Sequence, residues 1–524
     1  MVLMDINQAW KSTCRVIFGE EIGEIQEFSA YLKKYTDPIS SRPSALSGKE
    51  AFLSEGDFCP GAAFIRYDEN EEYSKKLASK FRLGINQLKD LDSILEALGE
   101  NACYAGSIVL GNSAEVSESN RCTNANAVKA SSDIYDSKYV AFSSMVRYGE
   151  HVFGCTSMGE CKFMVRGFRC HRSSRMFESV HTEHSSGCFF CGNIDGCQDM
   201  MFSFNQRSGR HMIGNCQLSR EEYSKLKVKL VEDIRTTLEA KRNVTSVIEI
   251  VGGNVKKKKD VRTFEPSPAP NDIEKRFKDC SRLLFGRELS GIGNYRAWLY
   301  RHVPELIKVK SAISERQVCV APLLFHEPIL ESCVTMGEAD EVGKLKLADE
   351  EVHALSVANA AKILEKIRLI TPEIVIRQNA RMVDCGVIAE AADCYFSSLC
   401  AYSKYAACSF WPRESEHVFG TDTVLSSKFC IKCYNSENLT RCFEVSDSNS
   451  CTDCYFCHNC ENVHDSMFCF NAKNLRHAVG NVEMGKEAYL KLKRAVMGEI
   501  FAKLEKDRDL KMGIFNIGCR NEKK

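Results

Sequence analysis

The chain has 524 residues, 27 cysteines and a formal net charge of zero, with 70 basic against 70 acidic residues. A hydrophobic fraction of 44% supports a packed core and excludes wholesale disorder. The balanced charge excludes a global nucleic-acid footprint, though not a local basic patch.

From the N-terminus, the sequence shows no basic segment leading into a long apolar one and no run of about 18 apolar residues, so neither an export signal nor a membrane span is expected. Unpaired thiols in the cytoplasm, or in a particle assembled there, follow as the default, since an odd cysteine count cannot pair fully within one chain. Gln8 to Lys34 and Glu71 to Leu98 read as helical, being charged, Leu- and Ile-bearing and poor in breakers. Between and after them, Cys59 and Cys103 read as isolated buried thiols.

The cysteines then cluster, seven between Cys155 and Cys216 and twelve between Cys385 and Cys469. An offset of 266 aligns these regions without a gap: Glu150-His-Val-Phe-Gly154 meets Glu416-His-Val-Phe-Gly420, and Cys188-Phe-Phe-Cys191 meets Cys454-Tyr-Phe-Cys457. Arg210-His211 and Gly214-Asn215 meet Arg476-His477 and Gly480-Asn481. The chain is therefore read as a tandem duplication. Each copy has a helical part (1–130 and 272–375), a Cys-rich part (131–218 and 376–483) and a helix (219–249 and 484–524). The join is a linker over 250–271, marked by Gly252-Gly253, the run Lys256 to Lys259 and alternating prolines.

Inside the second copy a 12-residue period runs from Asn438, with Asn or Ser opening each block and Cys442, Cys454, Ser466 and Ala478 sharing a phase. Such a short period, with small residues at fixed phase and Asn at the corners, predicts a β-solenoid. The overall fold class is α+β: a helical part, a short-repeat β-solenoid and a C-terminal capping helix, in duplicate. The Asn-Leu/Val signature at 438 and 462 favours 24-residue coils built from two such blocks. After each Cys-rich part, Tyr223, Leu226, Leu230, Ile234 and Leu238, and likewise Tyr489, Leu492, Val496, Ile500 and Leu504, form a helical stripe. These helices either cap the exposed solenoid edge or dock a partner.

The cysteine constellations Cys430-x-x-Cys433 and Cys451-x-x-Cys454-x-x-Cys457-x-x-Cys460, with Cys188 and Cys191 in the first copy, have a spacing suited to zinc or, less well, to an iron–sulfur cluster. Against a metal stands the replacement of Cys430, Cys442, Cys451 and Cys460 by Met164, Met176, Ser185 and Ile194 in copy one, which an apolar interior accepts and a metal does not. In extended strands, sulfurs three residues apart are also expected on opposite faces. A redox dithiol ranks below both, for want of a surrounding βαβ pattern.

Both copies keep Arg175, Asp199 and His211, as Arg441, Asp465 and His477. With 24-residue coils, Arg441 and Asp465 would stack as a salt-bridge ladder. The alternative is a catalytic groove like that of β-helix enzymes acting on carbohydrate, which needs converging carboxylates and finds only Glu178/Glu444 and Asp199/Asp465. His151 and His417 read as structural.

The run Cys454 to Asn471, then Arg476-His477-Ala-Val-Gly-Asn481 and the Tyr489 helix, resembles Cys- and Asn-rich parallel β-helix proteins of archaeal and bacterial genomes and their large viruses. That resemblance implies a fold and no activity. The expected function is a non-enzymatic structural or interaction scaffold, with a protein partner or self-association, such as an assembly or virion component. A metal-binding protein and a carbohydrate-acting enzyme are the alternatives.

Overall fold

The computed structural model describes residues 5–519, apart from 55, 83, 85, 86, 254–261, 263 and 264. The Lys256 to Lys259 run lies outside the described residues. The fold is mixed α+β, with two large, mostly parallel sheets, one in each copy, among helices and small hairpins.

In copy one, four-residue strands pair in parallel at a constant offset of 12: Lys138 lies beside Glu150, and Glu150 beside Lys162. A second strand in each 12-residue unit does the same, Ser144 beside Thr156. Copy two repeats the pattern, Lys404 beside Glu416 and Glu416 beside Lys428. One backbone circuit is thus 12 residues, half the expected 24, because each block already supplies both strands and the turns between them.

A finer period explains how so short a circuit closes. Through both Cys-rich parts nearly every third residue has φ near +50°, as at Tyr139, Phe142, Met145, Tyr148 and His151. This left-handed bend costs a non-Gly residue energy, and Asn and Asp adopt it most readily. The residue after each bend faces inward. Val152, Cys155, Met158, Cys161 and Met164, three apart, belong to one buried cluster, and Val418, Val424, Cys430, Cys433 and Cys442 to its counterpart. Residues i and i+3 therefore point into the same interior. The expectation that sulfurs three apart take opposite faces fails, because the bend between them turns the chain by one side of the circuit.

The interior also shows why Cys and Ser are used. Along one column the main-chain N–H is satisfied by the side chain one circuit below: Ser131 N–H donates to Ser119 Oγ at 3.0 Å, Ser143 to Ser131 and Cys155 to Ser143 at 3.1 Å, and Gly167 to Cys155 Sγ at 3.1 Å. The same hydroxyls and thiols donate to the carbonyl two residues back, Ser143 Oγ to Ala141 at 2.9 Å and Cys155 Sγ to Phe153 at 3.3 Å. A buried polar group needs such partners, and along this column small Ser, Cys and Gly residues supply them.

Outward residues build a second core with the helices. In α1 (Ile6–Phe18), Trp10 meets Phe153 edge-on at 5.5 Å, and Phe18 meets Phe177 at 5.1 Å. Helices α2 (Arg220–Lys241), α3 (Asn271–Phe285) and α4 (Lys486–Asp507) bury stripes against the same core. The glycine of Glu-His-Val-Phe-Gly serves this packing in both copies. A Cβ at Gly154 would lie 2.9 Å from the Leu32 carbonyl oxygen, and one at Gly420 would lie 2.8 Å from that of Leu299.

The two copies exchange parts. The segment from Ser40 to Gly106 belongs to copy one but packs on the coils of copy two: Asn471 donates to the Cys103 carbonyl at 2.8 Å and Asn481 to Ser74 Oγ at 3.0 Å. Reciprocally, Asn205 donates to the Leu369 carbonyl at 2.8 Å and Asn215 to that of Leu345 at 3.0 Å. The helical reading of these segments misses a hairpin in each, Ser40–Pro43 with Glu50–Leu53 and Ile307–Lys310 with Gln317–Val320. Cys59, expected as an isolated thiol, is disulfide-bonded to Cys519, with Cα atoms 6.3 Å apart across 460 residues of sequence.

Candidate functional site

The shared polar residues meet where the last coils of each copy face the helix that follows. In copy one, Arg175, Gly187, Asp199 and His211 form a single column at 12-residue spacing, all at left-handed bends. In copy two the column is Arg441, Asp453, Asp465 and His477. Arg441 does not stack on Asp465 as expected; Asp453 intervenes, taking the guanidinium through Nε at 3.0 Å and Nη2 at 2.5 Å. That bond holds the Arg441 pKa above its ordinary value. In copy one, Gly187 stands where this aspartate would, and Arg175 is exposed. A Cβ at Gly187 would come within 2.9 Å of Asp199 Oδ1.

Helix α2 supplies the opposite wall. Ser219 caps it by accepting from Glu222 N–H, which sets Arg220, Tyr223, Ser224 and Lys227 along the face turned to the coils. Lys227 Nζ binds Asp199 Oδ1 at 2.9 Å and lies 5.7 Å from the centre of the Tyr223 ring, while His211 packs on that ring at 5.4 Å. Gln198, Asp199, Arg210 and His211 with these helix residues enclose an open recess of about 370 Å³. Tyr223 is 2% exposed, and its hydroxyl has no hydrogen-bond partner among the described residues. In copy two, Arg476, His477, Lys486, Tyr489 and Lys493 hold the corresponding positions. There His477 packs on Tyr489 at 5.8 Å, and the fully buried Tyr489 hydroxyl again has no hydrogen-bond partner among the described residues. Burial lowers the pKa of Lys493.

The cysteines lie elsewhere, in the interior. Cys451, Cys454, Cys457 and Cys460 occupy the four inward positions of one circuit, and Cys430, Cys433, Cys188 and Cys191 are inward too. Their thiols donate to carbonyls, Cys454 Sγ to Val463 at 3.2 Å and Cys460 Sγ to Cys469 at 3.4 Å. Burial pushes the Cys155 and Cys170 thiols up to about 12. Among the described residues, no group of three or more His, Cys, Asp or Glu is placed to hold a metal ion.

The carboxylates do not converge. Glu178 is fully buried, 3.1 Å from Arg166 Nε, and accepts from Tyr31 Oη at 2.6 Å, Ser246 Oγ at 2.7 Å and Val247 N–H at 3.0 Å. Glu444 is its counterpart, accepting from Ile514 N–H at 2.8 Å, with burial pushing the nearby Lys432 amine down to about 8. Both acids tie coils to helices. His151 is packed between the rings of Tyr139 and Phe163, and His417 between those of Tyr405 and Phe429.

The sequence gives no hint of a buried cluster between the copies. Arg121 binds Asp447 at 2.6 Å, and His458 lies beside Asp447 and Ser446. This looks like a Ser-His-Asp triad and is not one. His458 Nε2 accepts from Ala105 N–H at 2.8 Å, so its proton sits on Nδ1 and is donated to Ser446 Oγ at 2.8 Å. A ring in that state cannot accept the serine proton, and His458 is fully buried.

No protein-family model, curated protein or solved structure matches the chain.

Proposed function

We propose that the protein is a non-enzymatic scaffold: two narrow β-solenoid modules, each wound in 12-residue coils with filled interiors and fused into one body. The observation that carries this reading is the reciprocal exchange, since each coil stack is completed by a segment of the other copy. Enzymes built on long coils need a groove with paired acids. Here the buried acids hold the scaffold together, and some others pair along columns, as Glu150 does with Lys138 and Lys162. The end of each stack turns back on itself, Met212 beside Gln217 and Ala478 beside Glu483 in antiparallel pairs. Closed edges discourage end-to-end growth and leave the lateral faces for a protein partner or a larger assembly.

The test is turnover. Purified full-length chain incubated with neutral and acidic polysaccharides is expected to release no reducing ends. Release that disappears in Asp199→Asn or Asp465→Asn overturns the scaffold reading in favour of a carbohydrate-acting enzyme.

A further inference from the structure

We propose that the protein binds further copies of itself through the starts of its two coil stacks, the first coil of copy one in one molecule meeting the first coil of copy two in the next. The inference rests on the scaffold reading and names its partner. Each stack is closed at its end, so an end cannot receive a start. The starts are open. Further along, Asn126–Lys129 pairs with Ala114–Ser117 on one side and with Lys138–Ala141 on the other. Among the described residues, Ala114–Ser117 pairs only with Asn126–Lys129, Val109–Leu110 only with Asn120–Thr123, and Val375–Ile376 in copy two only with Val383–Ala389. A sheet edge with one side unpaired is a template for another strand. The interior opens there too. Val109 and Val116 lie beneath the buried Cys122 and Val128, and Val375 and Met382 beneath the buried Ile388 and Cys394. Yet Val109, Val116 and Met382 are only half-buried, and Val375 is 48% exposed. A second start covers these apolar mouths.

Charge selects which starts meet. The opening circuit of copy one, residues 108–119, carries Glu115 and Glu118 and no basic residue. That of copy two, residues 374–385, carries Arg377 and Arg381, and its Asp384 is held by Ser267 and Lys308. At the repeat offset, Arg381 stands in copy two where Glu115 stands in copy one. Arg377 and Arg381 hold Glu390 and Asp393 of the next circuit, yet more than half of each arginine side chain is exposed, and a guanidinium has donors to spare. Two like starts set acid against acid or arginine against arginine, whereas unlike starts are complementary. The last coils of each copy hold the segment that leads into the other's first coil, Asn205 at Leu369 and Asn471 at Cys103, so the two stacks run antiparallel. One molecule thus offers an acidic start at one end and a basic start at the other. Contacts between unlike starts repeat head to tail without closing.

The experiment is sedimentation velocity of the full chain from about 1 to about 100 μM, at about 0.05 M and again at about 1 M ionic strength. At low salt the average mass is expected to rise with concentration past the dimer, and high salt should reverse it. Glu115→Lys with Glu118→Lys makes both starts basic and should weaken association about tenfold or more, with the melting temperature unchanged. Arg377→Gln with Arg381→Gln is the second route and should weaken it as well. Added as a minor fraction to the unaltered chain, the Glu115→Lys, Glu118→Lys protein can join by its copy-two start alone, so it should shorten the assemblies. A monomer throughout, a dimer that grows no further, or association that neither double substitution weakens overturns the proposal. The turnover test above decides the scaffold reading separately, and a monomer without turnover leaves that reading standing.

Discussion

At the scale of single residues, burial keeps Cys155, Cys170 and Cys197 as protonated packing groups. Burial moves Cys155 and Cys170 up to about 12 and Cys197 to about 11. A group whose folded pKa is raised contributes stability that is present below its unfolded pKa and is lost as pH rises towards the folded value. Each such cysteine therefore costs stability at about 1.4 kcal/mol per pH unit above about 8.5. The melting temperature should fall steeply between pH 9 and 11 on this basis, and a thiol reagent at pH 8 should label the interior cysteines only after denaturation. Rapid native labelling of Cys155 or Cys170 would contradict this. His458 gives the opposite limb. Burial lowers it to about 4, with Asp447 and Arg121 facing it, and both its ring nitrogens are already used. Its contribution is present above about 6.5 and is lost as pH falls towards 4. His458→Gln should flatten the acid limb of a melting-temperature profile; an unchanged limb would place the acid sensitivity elsewhere.

At the scale of the coil, the cysteine spacing and the 12-residue block are two views of one three-residue unit: bend, inward residue, outward residue. The duplication, the small inward residues and the terminal helices were legible because each leaves a pattern in residue type. The circuit length was not. An Asn at 438 and 462 suggested 24, yet Ser450 holds the same bend between them with φ of +56°, so residue identity understates a backbone state that Asn merely prefers. The exchange-built clusters were invisible for another reason: Arg121 and Asp447 are 326 residues apart, and no local pattern marks the pair. The narrow interior sets a sharp substitution rule. Cys454→Ser keeps size and donor and should cost about 1–2 kcal/mol, whereas Cys454→Phe overpacks a filled circuit and should cost more than about 3 kcal/mol in urea titrations. Equal costs would mean the interior is not close-packed. The helix-to-coil ties follow similar logic: Glu178→Gln strands Arg166 in a site with no exposure and should cost about 3–5 kcal/mol.

At the scale of the whole molecule, the exchange makes the duplication a covalently joined pair of interlocked halves, sealed by Cys59–Cys519. The anchoring amides are the same residues at the repeat offset: Asn205 and Asn215 hold copy two's segment, Asn471 and Asn481 hold copy one's. Glycines open the same approach, Gly214 to Leu347 and Gly480 to Phe81. Copy one alone therefore carries both a segment seeking coils and coils seeking a segment. Within one half the segment leaves Gly106 directly into its own first coils, whereas Asn205 and Asn215 lie in the last ones. A second molecule can supply what the missing copy did. Residues 1–253 expressed alone should form a dimer through reciprocal exchange, and Asn205→Ala with Asn215→Ala should shift it towards monomer or aggregate. Sedimentation equilibrium decides the matter: a folded monomer of this half, melting cooperatively, would show that the exchange is dispensable and that the two modules fold without each other.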